Sequence, residues 1–181
     1  MNLKEMLLKE SIVKTKGKDE EPFTLASGKK SKLFIDIKEA ILNPEILGEI
    51  VRIIDFNWDW FSDMNTDIIG SVAIGGVPIA SVLSIKREIK QVIVRSEKHE
   101  RGTETKVIGN CINRKVLLIE DVATTGNSIV NAVISIREAR GICDNCIVIV
   151  DREDGAKEWC KKNGINLYSL LKKSDFGINE E

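Results

Sequence analysis

The sequence predicts an α/β fold in which a mostly parallel central sheet is covered by helices on both faces. Predicted strands and helices alternate along the chain, which is typical of such a sheet. The 181 residues suit one domain, and a hydrophobic content of 43% is sufficient for a substantial core. The formal net charge of −1 gives no electrostatic footprint for nucleic acid. Because no apolar run is long enough to span a membrane, we expect a soluble, cytoplasmic protein.

The first third of the chain is predicted to hold two helices around an extended segment. Charges spaced through apolar residues favour a short amphipathic helix, not a signal peptide, over about Leu3–Lys9. Residues 33–37 are predicted to be extended. Pro44 suits the first turn of a helix, which apolar residues at helical spacing continue to about residue 55. The aromatic segment 57–61 is interpreted as a helix end that packs on the core.

The rest of the chain alternates between the two kinds of element. Strands are predicted at 67–73, 91–95, 115–119, 147–150 and about 166–170, and helices at 78–87, 128–140 and 156–163. Pro78 suits the beginning of the first of these helices. Because ligands of such sheets bind beyond the carboxyl ends of the strands, the loops after residues 73, 95, 120 and 150 are expected to form one site.

The segment 116–129 is the strongest functional signal. Apolar residues 116–119 are followed by Glu120 and Asp121, and then by a turn of small and hydroxyl-bearing residues: Val122, Ala123, Thr124, Thr125, Gly126, Asn127 and Ser128. The free N–H groups and positive dipole at the start of a helix favour a phosphate there, whereas the acids would repel it. The acids are therefore expected to face a cation or sugar hydroxyls, so the ligand should carry both phosphate and ribose.

This segment resembles the phosphoribosyl pyrophosphate (PRPP) motif of type I phosphoribosyltransferases. The resemblance implies that Glu120 and Asp121 hold the ribose hydroxyls and stabilise developing positive charge. It also implies that residues 122–128 bind PRPP, with residues 124–128 at its 5-phosphate. The loop containing Ile74, Gly75 and Gly76 looks like the family's pyrophosphate loop. Since it lacks the lysine of some members, it would bind through backbone N–H groups. A tight structural turn is the alternative interpretation of the two glycines.

The charged segment 95–109 is predicted to be a mobile lid. Arg95 and Gly102 match the two ends of a flexible loop in orotate phosphoribosyltransferases. Inside it, Ser96 and His99 stand where the family has lysines, Arg101 stands where it has a histidine, and Lys98 lies beside the second lysine position. The resemblance assigns PRPP contacts to Arg95, Ser96, His99 and Arg101, with Lys98 and His99 as candidate catalytic cations. A partly charged histidine predicts weaker or more pH-sensitive catalysis than the full motif gives.

Two further segments resemble the orotate branch of the family. Residues 22–36 match the segment that leads into a hood over the base, so about residues 1–40 of a single phosphoribosyltransferase domain are expected to form this hood. The resemblance places Phe34, Ile35, Thr124 and Arg152 at orotate, and an arginine suits a carboxylate because its planar fork binds it bidentately. It also implies Mg²⁺ carried mainly by PRPP, and a homodimer in which each lid reaches the partner's site.

Other interpretations remain open. One is a phosphoribosyltransferase for another base, and another is a non-catalytic, PRPP-binding regulator that has lost the lid chemistry. Cys143 and Cys146 form a C-x-x-C pair, but a structural zinc site usually needs a second ligand pair. Buried, reduced thiols are therefore predicted in preference to a metal or redox site.

Overall fold

A computed structural model shows the arrangement of most of the chain. It describes residues 2–16, 20–24, 30–31, 33–62, 66–95 and 106–177. Among these residues, no helix is both long and apolar enough to cross a membrane.

The N-terminal elements are short and lie beside the main sheet. They are α1 (Leu3–Lys9), β1 (Val13–Thr15), β2 (Phe23–Thr24), β3 (Lys30–Ser31), β4 (Leu33–Ile35) and α2 (Ile37–Ala40). The side chain of Asn2 accepts a hydrogen bond from the backbone N of Glu5, and the Glu5 carboxylate accepts one from the backbone N of Asn2. This reciprocal capping box explains where α1 begins. β1 pairs antiparallel with β4, and β2 pairs antiparallel with β3.

The central sheet has six strands in the described residues, in the order β10-β9-β8-β5-β6-β7. Its elements in chain order are α3 (Pro44–Phe56), α4 (Trp58–Ser62), β5 (Ile68–Val72), α5 (Gly76–Arg87), β6 (Lys90–Val94), β7 (Val107–Ile108), β8 (Lys115–Ala123), α6 (Asn127–Glu138), β9 (Ile142–Asp151), α7 (Ala156–Lys162), β10 (Asn166–Lys172) and a 3₁₀ helix (Lys173–Phe176). All neighbouring strands run parallel except β7, which is antiparallel to β6. The predicted fold class is confirmed.

Helices cover the sheet on both faces, as the near-continuous apolar strands predict. Leu117 and Ile119 of β8 belong to one buried cluster, together with residues of α3 and α5. Leu118 of β8 belongs to a second buried cluster with residues of α6 and α7. Since successive side chains of a strand point to opposite faces, β8 contributes to both cores.

Several boundaries differ from the prediction. β8 continues to Ala123 and β9 begins at Ile142, because the two strands pair over almost their whole length. α5 begins at Gly76, so Pro78 lies inside its first turn and not at its beginning. The short strands β1, β2, β3 and β7 were not predicted. The segment predicted to be extended to residue 37 ends at Ile35, because Ile37 begins α2. The interpretation of segment 57–61 is confirmed: it forms most of α4, whose Trp58 and Phe61 are buried.

Candidate functional site

The acidic pair lies where β8 extends beyond its neighbour β5. The pairing of β5 with β8 ends at Ser71 and Ile119, whereas β9 continues alongside β8 as far as Ala123. Glu120 and Asp121 therefore belong to the strand itself, although the sequence predicted that the strand ends at residue 119. Both side chains are buried. At this position β9 supports β8 on one side, whereas β5 no longer pairs with it on the other.

The predicted Gly-Gly loop fills part of that open edge. A Cβ atom at Gly76 would overlap the carbonyl oxygen of Ile119, and one at Gly75 would overlap the carboxylate of Asp121. Both positions thus need glycine because the loop packs directly against β8. Ile74 is exposed, and its peptide bond with Ala73 is cis. The interpretation of the two glycines as a tight structural turn is therefore supported. The loop also lies beside the acidic pair.

The two acids differ in their surroundings. Burial, followed by the negative charge of Asp121 and a hydrogen bond with it, raises the pKa of Glu120 to about 8. Asp121 instead has a cation beside it, since Nζ of Lys38 lies 2.8 Å from its Oδ2 atom. This contact raises the pKa of Lys38, against the effect of its partial burial. Near neutral pH Glu120 is therefore protonated, whereas Asp121 has a cation within ion-pair distance.

The raised pKa of Glu120 has a consequence for stability. Because the folded protein binds this proton more tightly than the unfolded chain, the free energy of unfolding should fall as pH rises from the ordinary value of 4.5 to about 8. Because glutamine does not ionise, we expect the free energy of unfolding of Glu120→Gln to escape this fall. Its Tm should exceed that of wild type at about pH 9 but not at about pH 5, by about 2–4 °C for each kcal/mol of added stability. Thermal unfolding of both proteins at the two pH values measures this. Equal Tm differences at both pH values would contradict it.

The predicted phosphate loop joins β8 to α6. Thr124, Thr125, Asn127 and Ser128 are exposed, whereas Gly126 is buried and has a φ of +82°. A side chain at Gly126 would meet the backbone of α7. In the described part of the chain, no side chain caps the N-terminus of α6. Its first N–H groups, together with the exposed hydroxyls, are therefore available to an anion.

Arg152 lies next to the end of β8. Its backbone N donates to the carbonyl oxygen of Ala123 at 2.9 Å, which ties the loop after β9 to the loop after β8. Its Nε atom lies 3.9 Å from Oδ2 of Asp154, and its side chain is mostly buried. Glu153 fixes the same loop from the other side, because its carboxylate accepts hydrogen bonds from Ser174. The structure thus brings the loops after β8 and β9 together, as predicted.

The predicted hood and lid residues are placed only in part. Phe34 contacts Phe23, with ring centroids 5.8 Å apart, while Ile35 packs against the core. The backbone N of Arg95 donates to Lys106 at 3.0 Å, which brings the two ends of the lid segment together. The lid residues Ser96, Lys98, His99, Arg101 and Gly102 lie outside the described residues.

Lys38 is a residue of this site that the sequence reasoning missed. It lies on α2, far along the chain from Asp121, and its charge resembled any other surface charge in the sequence. The available signal was local: Asp36 precedes it in a position that suits a helix N-cap, and the Asp36 carboxylate does accept from the backbone N of Lys38 and of Glu39. That pattern predicts α2, but it does not predict the contact with Asp121.

Comparison with known proteins agrees with this geometry. Residues 39–175 match the phosphoribosyl transferase domain family. A Picrophilus torridus orotate phosphoribosyltransferase is 39% identical over 170 residues, which cover 93% of this chain and 99% of that protein. A Methanocaldococcus jannaschii orotate phosphoribosyltransferase is 43% identical over 153 residues, covering 82% and 83% of the two chains. The chain belongs to the orotate phosphoribosyltransferase family.

Solved structures of this family share the fold. The orotate phosphoribosyltransferase from Aeropyrum pernix superposes with a TM-score of 0.79 at 24% identity, covering 96% of this chain and 95% of that one. UMP synthase from Leishmania donovani gives a TM-score of 0.80 at 25% identity, and the match covers 96% of this chain but 36% of that longer chain. The phosphoribosyltransferase fold thus extends over nearly the whole protein.

The cysteines of this family member lie in the core. Cys111, Cys143, Cys146 and Cys160 are all buried and free of disulfide bonds. Burial raises the pKa of the Cys143 thiol to about 12 and that of Cys160 to about 11. The prediction of buried, reduced thiols is confirmed, and the raised pKa values oppose thiolate chemistry at neutral pH.

Proposed function

We propose that this protein transfers the 5-phosphoribosyl group from PRPP to orotate, releasing pyrophosphate and forming orotidine 5′-phosphate in pyrimidine biosynthesis. The observation that carries this proposal is the buried acidic pair at the end of β8, directly before an uncapped helix N-terminus. The orotate phosphoribosyltransferases from P. torridus and M. jannaschii, which resemble this chain over most of its length, support the choice of orotate.

The acidic pair would act on the ribose. As the bond to pyrophosphate breaks, positive charge develops on the ribose ring, and an ionised carboxylate placed nearby stabilises it. Asp121 is suited to this task because it is buried and held in place by the ion pair with Lys38. Glu120 carries a proton near neutral pH, so it could donate a hydrogen bond to a ribose hydroxyl.

The loop after β8 would hold the 5-phosphate. In this proposal the exposed hydroxyls of Thr124, Thr125 and Ser128 and the N-terminus of α6 surround the anion, and Val122 and Ala123 lead into this loop at the end of β8. Asn127 and Gly126 begin the helix, and the left-handed conformation of Gly126 turns the chain so that these N–H groups point outward.

The Gly-Gly loop would face pyrophosphate. Gly75 packs on Asp121, so the backbone of Gly75 and Gly76 would lie beside the ribose with no side chain in between, and Ile74 precedes them. Arg95 and the lid residues Ser96, Lys98, His99 and Arg101 would add positive charge there and exclude water.

Mg²⁺ would enter with PRPP. Magnesium prefers substrate phosphates and waters to an all-protein cage, and the described residues hold no group of three or more side chains that could form such a cage. When bound, the ion would neutralise charge on the departing pyrophosphate.

Orotate would lie between the hood and the loop after β9. Arg152 would bind its carboxylate, while Thr124, Phe34 and the backbone of Ile35 would position the ring. We expect Arg152→Met to raise KM for orotate by about 10- to 100-fold, because a charge-assisted contact is lost, and to leave KM for PRPP almost unchanged. Steady-state kinetics with each substrate varied in turn measures this. An equal rise in both KM values would contradict the role.

A homodimer is also proposed, with exposed apolar side chains of α3 and α5 at its interface. Phe56 is 83% exposed and Ile85 is 80% exposed, and Val82 lies one turn from Ile85. Large exposed apolar side chains on one side of a protein mark interaction surfaces. We therefore expect Ile85→Glu to shift the protein to a monomer in light scattering and to lower its activity, since each lid would serve the partner's site.

The matched control for this change is Ile134→Glu. Ile134 is also exposed, but it lies on α6, which covers the opposite face of the sheet. Ile134→Glu should leave the oligomeric state unchanged. A dimer that survives Ile85→Glu, or that Ile134→Glu disrupts equally, would exclude this surface as the interface.

Assays with different bases test the choice of substrate. Wild-type protein should consume PRPP with orotate and not with uracil or a purine base. Turnover with a purine base alone would favour the other branch of the family. PRPP binding without turnover on any base would favour a non-catalytic regulator.

A further inference from the structure

Lys38 makes the only ion pair with the acidic pair among the described residues. Its Nζ atom lies 2.8 Å from Oδ2 of Asp121, and its own side chain is 61% exposed whereas that of Asp121 is 4% exposed. An exposed cation thus offsets the charge of a buried carboxylate. The arrangement is asymmetric, because Lys38 would remain solvated without Asp121, while Asp121 without Lys38 would be a buried charge with no counter-charge.

The backbone that carries Lys38 is held firmly. The Asp36 carboxylate caps α2, accepting from the backbone N atoms of Lys38 at 3.1 Å and Glu39 at 3.3 Å. Ile37 and Ala40 are buried in the core on the other side of this helix. The cap by Asp36 and the buried side chains of Ile37 and Ala40 together fix the position of α2. Only the side chain of Lys38 must therefore be ordered to reach Asp121.

The surroundings of Asp121 make it dependent on this cation. Gly75 closes one side of its carboxylate with uncharged backbone. Glu120 lies beside it on β8 and is also an acid, so it offers no counter-charge. Lys38 faces Asp121, Asp36 and Glu120, and all three favour its charged form. Lys38 therefore supplies the positive charge that faces the buried carboxylate of Asp121.

We propose, building on the proposed function, that Lys38 is a positioning residue that holds the Asp121 carboxylate in place, directed at the ribose of PRPP. In this role it acts through Asp121 and makes no contact of its own with the ligand. It would thus set the strength of PRPP binding and the rate of transfer from a helix outside the PRPP motif.

A double-mutant cycle tests this role. Titration calorimetry with PRPP and Mg²⁺ would compare wild type, Lys38→Met, Asp121→Asn and the double variant, and steady-state kinetics would follow the same set. Lys38→Arg keeps a cation and serves as the conservative variant. Arg114→Met is the matched control, because Arg114 is 62% exposed and pairs with Asp67 near the opposite end of β8.

We expect Lys38→Met to weaken PRPP binding by about tenfold, as for the loss of one charge-assisted contact, and to lower kcat as well. Lys38→Arg should keep most of the PRPP affinity and most of kcat. Arg114→Met should match wild type in both measurements. In the Asp121→Asn background Lys38→Met should add little, since residues that act as one unit are not additive. A merely structural lysine would lower Tm and leave binding and kcat unchanged.

Two results would overturn the inference: wild-type affinity and kcat in Lys38→Met, or effects of Lys38→Met and Asp121→Asn that add in full. The second result would mean that Lys38 contacts the ligand itself. A wild-type protein that binds no PRPP would overturn the proposed function and this inference together, so the two failures are distinguishable.

Discussion

Asp121→Asn is expected to lower kcat for orotate phosphoribosylation by about 100- to 1,000-fold, the scale of losing one preorganised electrostatic contact. The carboxylate is buried and rigidly placed, so water cannot replace its charge in the transition state. The fold should survive the change. Removing the charge of Asp121 also removes a cause that raises the pKa of Glu120, so strain between the two acids is relieved.

Steady-state kinetics and thermal unfolding of the same protein separate these effects. The expected pattern is a large loss of kcat with Tm equal to or above that of wild type. A loss of activity that follows a loss of Tm would show that Asp121 acts mainly in folding. Activity close to wild type would exclude it from the reaction.

Gly76→Ala is expected to abolish most activity and to destabilise the fold. The added Cβ atom would overlap the carbonyl oxygen of Ile119, which is backbone of the central strand and cannot move aside. The loop must therefore shift, and overpacking of this kind typically costs about 1–3 kcal/mol. Since this loop packs on Asp121 through Gly75, the acidic pair would be displaced as well. Chemical denaturation and an activity assay measure the two losses.

Gly48→Ala is the matched control for this change. Gly48 lies within α3, and a Cβ atom there would meet nothing within 4 Å. Because alanine favours a helix more than glycine does, the control should be neutral or stabilise by up to about 1 kcal/mol. If the two substitutions had similar effects, the close approach of the loop to β8 would not be what makes Gly76 necessary.

The sequence was sufficient for the fold class and for the main part of the site because both depend on local patterns. Apolar runs that alternate with amphipathic segments predict the order of strands and helices, and the segment 116–129 contains the acids, the turn and the helix start within a few residues. The convergence of the loops after β8 and β9 also follows from the parallel sheet, and the contact of Arg152 with Ala123 confirms it.

Long-range contacts account for what the sequence did not predict. Glu120 and Asp121 lie within β8 because β9 continues alongside them, and a single strand's residues do not reveal the length of its partner. β7 has only two residues and depends on its pairing with β6. The ion pair between Lys38 and Asp121 joins segments that are distant in the chain. These features arise from tertiary packing and not from local periodicity.

The most direct test of the account is an assay of orotate with PRPP and Mg²⁺ in the presence of purified protein. The account predicts loss of orotate with formation of orotidine 5′-phosphate and pyrophosphate in equal amounts, and no loss when PRPP is omitted. If orotate were unchanged at high protein concentration while PRPP still bound, the protein would be a PRPP-binding regulator and the proposed reaction would be wrong.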